Sequence, residues 1–235
     1  MEEYFDSTYI WESIPALLPY LKMTFFVAGL SVLFGSLLGL ILAIMKLGEN
    51  KVFQNIAHGY TTVLRCTPSI VLLFLIYYGV PAIAMNFGVN LNDMSSVFFV
   101  VITFTLQFGA LMSEVIRSAY ESIDRGQYEA AVSVGLSNMQ AYRRIIFPQA
   151  FVVALPNFGN ALLELMKEGA LAYTIGLIDV MGKANLIIAS NYNSHALEIY
   201  IGLSIIYWVL SIIIEQFFLK LERVFSKGNK GLKAA

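Results

Sequence analysis

Eight polar side chains stand inside otherwise apolar stretches of this chain, and their spacing assigns them to two helical stripes. Plotted at about 100° per residue, Thr103, Gln107, Glu114 and Arg117 fall within an arc of roughly 80°, and Asn157, Asn160, Glu164 and Lys167 do the same. An ionisable or amide group is costly in hydrocarbon, so each stripe must face a protein interior or a wet path rather than lipid. Two such stripes suit a zwitterion, which needs an acceptor for its ammonium and donors for its carboxylate. Glu164 can meet the first need, with Gln107, Asn160, Thr67 or Ser69 supplying neutral hydrogen bonds. Counting about 1.5 Å per residue from the helix ends puts Gln107 and Asn160 near mid-membrane, with Glu164 further out and Glu114 further in. Several of these residues have a second reading. Asn157 and Asn160 equally suit helix–helix hydrogen bonding, and Lys167 can snorkel to the outer surface. Glu114 and Arg117 form an i,i+3 pair, which suits gating or helix pairing better than substrate contact.

The elements that position these groups are membrane helices. Hydrophobic residues make up 58% of the 235 and charged residues only 13%, where soluble domains carry about a quarter charged. Five stretches, 19–46, 55–80, 96–120, 148–168 and 196–221, reach the ~20 apolar residues a spanning helix needs. The expected fold is therefore an all-α integral membrane protein of five transmembrane helices, forming a single transmembrane domain over 1–235. Basic residues collect between spans one and two (Lys46, Lys51), between three and four (Arg117, Arg125, Arg143, Arg144) and after span five (Lys220, Arg223, Lys227, Lys230, Lys233). By the positive-inside rule the N-terminus is outside and the C-terminus inside. The acidic N-terminal residues Glu2, Glu3, Asp6 and Glu12 are unlike a secretory leader, so the first span is expected to be retained as an anchor.

Within this frame Ser31, Gly35, Gly39 and Ala43 put a small residue at every fourth position of span one, a face that lets another backbone approach closely. The spacing fits packing within the chain, with a subunit interface as the alternative. Pro68 and Pro156 each remove a backbone hydrogen bond inside a span and favour a kink. No internal repeat is evident. A pathway between two related halves would then need a second copy or a sister subunit.

Several functions are excluded by what the chain lacks. A net charge of −1 without a basic domain gives nucleic acid nothing to bind. Cys66 is the sole cysteine, and the two histidines, His58 and His195, are far apart, so no metal site or disulfide is expected. No phosphate-cradling G-x-x-x-x-G-K-[ST] loop is present and no nucleophile–base pair stands out, so the chain is not expected to be an enzyme.

The segment from about 124 to 148 breaks the membrane pattern. Glu129-Ala130-Ala131-Val132-Ser133-Val134-Gly135 reads as a short helix ending at a glycine free to take positive φ. Ser137-Asn138-Met139-Gln140 reads as a capping box that starts the next helix, with Asp124 to Gln127 a weaker start signal for the first. Pro148 closes the insert. The pattern resembles the "EAA" loop of permease subunits of ATP-binding-cassette importers, with Phe147 where leucine is usual.

The resemblance extends over nearly all of 19–223. Arg65-Cys66-Thr67-Pro68 with Leu73 to Pro81 is similar to the R-G-T-P…Q-L-F-x-x-Y-x-G-L-P pattern of polar amino acid permeases. Gly109-Ala110…Glu114…Arg117, Gly126-Gln127-Tyr128-Glu129, Leu155-Pro156…Asn160 and Lys167-Glu168-Gly169-Ala170-Leu171 match further motifs. Cys66 departs from glycine, Leu72 or Leu73 from glutamine, and Gly169 from a hydroxyl residue, all where substrate or gate contacts could lie. The run Ile178 to Ala184 looks closest to the cystine-importing branch.

The resemblance implies a type I ABC importer fold in a bacterial plasma membrane. It implies cytoplasmic ATPase subunits as partners, gripping Glu129, Ala130, Ala131, Gly135 and Pro148, together with an extracytoplasmic amino acid-binding protein, a second permease and membrane lipid. ATP and magnesium would bind the ATPase, leaving this chain without a cofactor. The competing class is a secondary amino acid transporter independent of an ATPase, for which the 124–148 insert has no use.

Overall fold

A computed structural model describes residues 5–226. Those residues form eight helices and no strand. They are α1 (Thr8–Leu47), α2 (Lys51–Cys66), α3 (Ser69–Met85) and α4 (Ser96–Glu121), α5 (Arg125–Ser133), α6 (Asn138–Ile175), α7 (Val180–Ser190) and α8 (Ala196–Ser226). Four are long and apolar enough to cross a membrane, α1, α4, α6 and α8; α2 and α3 make a fifth span if taken together. The expected lysines 227, 230 and 233, and acids 2 and 3, lie outside the described residues.

Two spans differ from the sequence expectation. The first helix begins at Thr8 rather than near 19, passing Pro19 through a short 3₁₀ turn at Leu18–Tyr20. This tighter turn lets the helix continue across the proline's missing donor. The second expected span is not one kinked helix. It breaks between Cys66 and Ser69, and α2 and α3 meet at 106°. Pro68 explains the break: its ring pushes Thr67 out of the α region, and Thr67 is extended at φ −90°, ψ 124°. Pro156, by contrast, sits inside an unbroken helix. The stretch between the fourth and fifth expected spans, 169–195, holds α7.

Two π turns share a cause. One, Leu75–Gly79, ends two residues before Pro81, and the other, Tyr142–Ile146, two residues before Pro148. A proline ring collides with the carbonyl four residues back, here that of Tyr77 or Arg144. Widening that turn to i→i+5 bonding removes the collision while keeping the helix.

The helices pack around α4, whose Phe99, Phe104, Phe108 and Met112 are nearly fully buried with Leu73 of α3 and Leu165 of α6. A second apolar cluster joins Leu17 of α1 to Val180 and Ala184 of α7 and to Ile199 and Leu203 of α8. The small-residue stripe of α1 packs within the chain, against α4. A Cβ on Gly39 would stand 2.6 Å from Cβ of Met112, and one on Gly35 would stand 3.0 Å from Cβ of Phe108. On the facing helix a Cβ on Gly109 would meet Leu38 at 2.8 Å. Lipid is as apolar as a leucine side chain, so this interlock holds by close van der Waals packing rather than by expulsion of water.

Asp179, between α6 and α7, is 2% exposed and caps α7, accepting from the Gly182 N–H at 2.9 Å. Thr24 of α1 donates to the same carboxylate at 3.4 Å. Burial pushes its pKa up to about 6, against hydrogen bonds from Gly182, Met181 and Thr24 that pull it down.

The seam predicts that Gly39→Val lowers the melting temperature of the detergent-purified chain, by overpacking worth about 1–3 kcal/mol. Gly29→Val, with nothing within 4 Å of its added Cβ, leaves it within error. Equal melting of the two variants would contradict the seam. Asp179 has a raised folded pKa, so its stabilisation is full below the unfolded value near 4 and lost as pH rises through about 6. Melting of wild type relative to Asp179→Asn should therefore fall between pH 4 and 6 and level off above, and a flat difference would refute it.

Candidate functional site

The break between α2 and α3 opens a cavity of about 640 Å³ between α2, α3, α4 and α6. Arg65, Cys66, Thr67, Pro68 and Ser69 form one wall, Gln107, Phe108 and Leu111 of α4 the second, and Ala161, Glu164, Leu165 and Glu168 of α6 the third. The local sequence builds this wall directly. Thr67 turns its hydroxyl back to the Val63 carbonyl at 2.8 Å, satisfying an end group of α2. Pro68 then starts α3, and Ser69 occupies its first turn. First-turn N–H groups of a helix lack intrahelical partners, so the end of α3 offers donors at the cavity wall.

One hydrogen-bonded chain crosses the cavity. Gln107 Nε2 donates to Ser69 Oγ at 2.6 Å, and Ser69 Oγ donates to Glu168 Oε1 at 2.7 Å. The Gln107 Oε1 is buried with no partner, an acceptor left over. Glu164 is exposed into the cavity one turn before the half-buried Glu168. Thr67, Ser69, Gln107 and Glu164 are thus brought together. Asn160 is not: it is exposed on α6 and does not line the cavity. Thr103 is fully buried and bonds the Phe99 carbonyl of its own helix at 2.8 Å, so the α4 stripe does not run continuously along the cavity.

Glu168 was visible in the sequence only as part of a motif, without a role. Lys46 was read only for topology, yet its side chain is fully buried, with Nζ 2.7 Å from Glu114 Oε1 and 2.8 Å from Ser113 Oγ. A signal existed, since Lys46 lies on the same face as Gly39 and Ala43 at helical spacing. Glu114 also pairs with Arg117, whose Nη2 and Nε lie 2.6 and 3.0 Å from its Oε2.

A second cavity, about 460 Å³, lies beside the 124–148 insert between the end of α4, α5 and the π turn of α6. Asp124 caps α5 by accepting from the Gly126 N–H at 2.7 Å, and Ser137 and Gln140 form a reciprocal capping box. Gly135 has φ +90° in the turn between the two helices, where the Leu136 N–H returns to the Ala131 carbonyl at 3.2 Å. Ala131 and Ala141 are buried inside the hairpin. Glu129, Ala130 and Pro148 face outward, as do Val134 at 80% and Met139 at 72% exposure.

Residues 35–227 match the family described as "Binding-protein-dependent transport system inner membrane component". The chain belongs to that family. It is a multi-pass permease subunit of an amino acid ABC transporter in the bacterial plasma membrane. It is 39% identical over 229 residues to the L-cystine transport system permease protein TcyL of Bacillus subtilis, covering 97% of this chain and 95% of that one. It is 38% identical over 210 residues to the probable amino-acid ABC transporter permease protein PatM of Vibrio harveyi, covering 89% and 92%. Among solved structures, an amino acid ABC transporter crystallised with histidines superposes with a TM-score of 0.81 at 32% identity, over 94% of this chain and 99% of the other.

Cys66 of the permease is exposed on the cavity wall, which makes the cavity directly testable. A membrane-impermeant maleimide should label Cys66 in the native membrane, and Glu164→Cys in a Cys66→Ser background should react comparably. Absence of labelling at both positions, with normal labelling of the denatured chain, would mean that the cavity is closed to water.

Proposed function

We propose that this permease moves a polar amino acid into the cytoplasm, with cystine its substrate, driven by ATP hydrolysis on separate subunits. The observation that carries the reading is the polar cavity at the α2–α3 break, where Glu164 and Glu168 stand one turn apart beside the free Gln107 acceptor. Two carboxylates opposite a single Arg65 suit a ligand with two ammonium groups, as cystine has. The first turn of α3 suits its carboxylates. The L-cystine system of Bacillus subtilis supports the same choice through its permease's 39% identity.

In this reading the N-terminus faces outside and the C-terminus inside, which sets the 124–148 hairpin in the cytoplasm. Glu129, Ala130, Ala131, Gly135 and Pro148 form the surface held by ATPase subunits, which bind the ATP and magnesium. A binding protein delivers substrate from outside. Asn160 and Asn157, exposed on a membrane-spanning helix, are then covered by a second permease copy or a sister subunit, since amides facing lipid are costly. Closure of the ATPases rocks the helices and opens the path outward, and hydrolysis resets it. A secondary transporter would need no rigid, doubly capped hairpin carrying exposed Val134 and Met139.

Proteoliposomes containing the permease, its ATPase and its binding protein should accumulate labelled cystine only with internal-facing ATP, and arginine or glutamine less. Gly135→Asp meets no neighbour at its added Cβ but strains the turn at φ +90°, so the variant should assemble in the membrane while uptake falls about tenfold or more, within the range of site-to-site coupling. Cystine uptake that persists without the ATPase would replace this reading with secondary transport, and unchanged uptake in Gly135→Asp would remove the hairpin from the mechanism.

A further inference from the structure

Lys46 lies in the last turn of α1, with its side chain wholly out of solvent. Burying an ammonium is costly, and an ion pair in a protein interior is often no more stabilising than apolar side chains of the same volume. The site therefore gains little stability from the charge that methionine would not also supply. What the charge adds is direction. Above Lys46 the α1–α4 contact is a glycine seam in which Leu38, Phe108 and Met112 seat on facing glycines, so the axial register there rests on van der Waals contact without a directional bond. The Lys46 Nζ fixes that register through Ser113 Oγ and Glu114 Oε1.

The chain of charges does not stop there. Glu114 takes Lys46 on one oxygen and Arg117 on the other, and Arg117 in turn pairs with Glu121 through Nη1. Exposure rises along it, from 0% at Lys46 to 22% at Glu114, 29% at Arg117 and 51% at Glu121. Glu121 is the final residue of α4 and lines the cavity beside the hairpin, together with Asp124, Arg125 and Glu129. A continuous set of charge-assisted hydrogen bonds thus runs from the buried end of α1 to the last residue of α4, at the edge of the cavity beside the hairpin.

We propose that Lys46 is a positioning residue that, through Glu114, Arg117 and Glu121, pins α1 to α4 so that displacement of the hairpin moves both helices as one body. This rests on the ATP-driven reading above. Without the pin, the hairpin still engages the ATPase, but α1 slips along the seam and the stroke is lost before it reaches the cavity. The two-state element that carries the coupling is the α1–α4 pair.

The test uses the complete complex of permease, ATPase and binding protein in proteoliposomes, comparing Lys46→Met, matched in length but uncharged, with Lys46→Arg. Retained ATPase, basal ATP turnover and substrate taken up per ATP are measured separately. Lys46→Met should keep its ATPase and basal turnover while uptake per ATP falls about tenfold, as expected for loss of site-to-site coupling. Lys46→Arg should recover most of that ratio, which a purely structural role for the side chain does not require. If Lys46→Met fails to assemble, Arg117→Gln breaks the next link at a partly exposed position and is read the same way. Unchanged uptake per ATP in the assembled variant, or a Lys46→Arg as defective as Lys46→Met, overturns the proposal. Failure of the reading beneath it looks different, because wild type itself then shows no ATP-dependent uptake.

Discussion

Every polar group that enters the bilayer must find its partner within the protein, and this requirement organises the permease more than any apolar contact does. Ser69, Gln107 and Glu168 satisfy one another across three helices. Lys46, Glu114 and Arg117 do the same between two. Thr61, Thr103 and Ser113 return their hydroxyls to carbonyls of their own helices. With such pairs made, apolar faces need only fill space, and the glycines at 35, 39 and 109 let α1 and α4 close to backbone contact. Four buried side-chain atoms among the described residues lack a partner, Ser31 Oγ, Thr105 Oγ1, Gln107 Oε1 and Tyr207 OH, and of these residues Gln107 lines the larger cavity.

Prolines shape the chain in two ways here, according to what surrounds each. At Pro68 nothing bridges the gap, the residue before it is extended, and the helix breaks to give the cavity its wall. At Pro81 and Pro148 the preceding turn widens and the helix survives. A wide turn within α6 lies against the hairpin cavity and brings Tyr142 and Ile146 into its lining. Helix π turns frequently sit at functional positions, and this one joins the exposed hairpin to a membrane span without breaking the helix.

How much of this was legible in the sequence follows the range of the interaction. The Ser137–Gln140 box and the positive φ of Gly135 are set by neighbours within a few residues, and both stand where the residue types put them. The small-residue stripe was readable as a packing face, and the structure supplies its partner, α4. The angle at Pro68 was not readable, because a proline specifies a lost hydrogen bond but not where the next helix will dock. Asn160 lies outside the cavity for a related reason. Helical phase fixes which stripe a residue joins, while the neighbouring helices decide which part of that stripe is enclosed. Glu168 and Lys46 acquire meaning only from partners 99 and 68 residues away in sequence, Ser69 and Glu114.

The two cavities are linked by the same pair of helices. Gln107 and Glu121 both belong to α4, fourteen residues apart by subtraction of their numbers, so an unbroken rod of roughly 21 Å joins the polar cavity to the hairpin. α6 makes a second connection, with Tyr142 and Ile146 at the hairpin end and Glu164 and Glu168 at the cavity. These rods differ in stiffness. α4 contains neither a proline nor a π turn, whereas α6 has a π turn at its hairpin end and Pro156 midway. In the mechanism proposed above, a push on the hairpin would be carried more directly along α4, while α6 has two places at which it can bend. Relative motion of Gln107 against Glu164 and Glu168 would follow from that difference. It would open or close the cavity across the hydrogen bonds of Ser69, the residue that touches both sides.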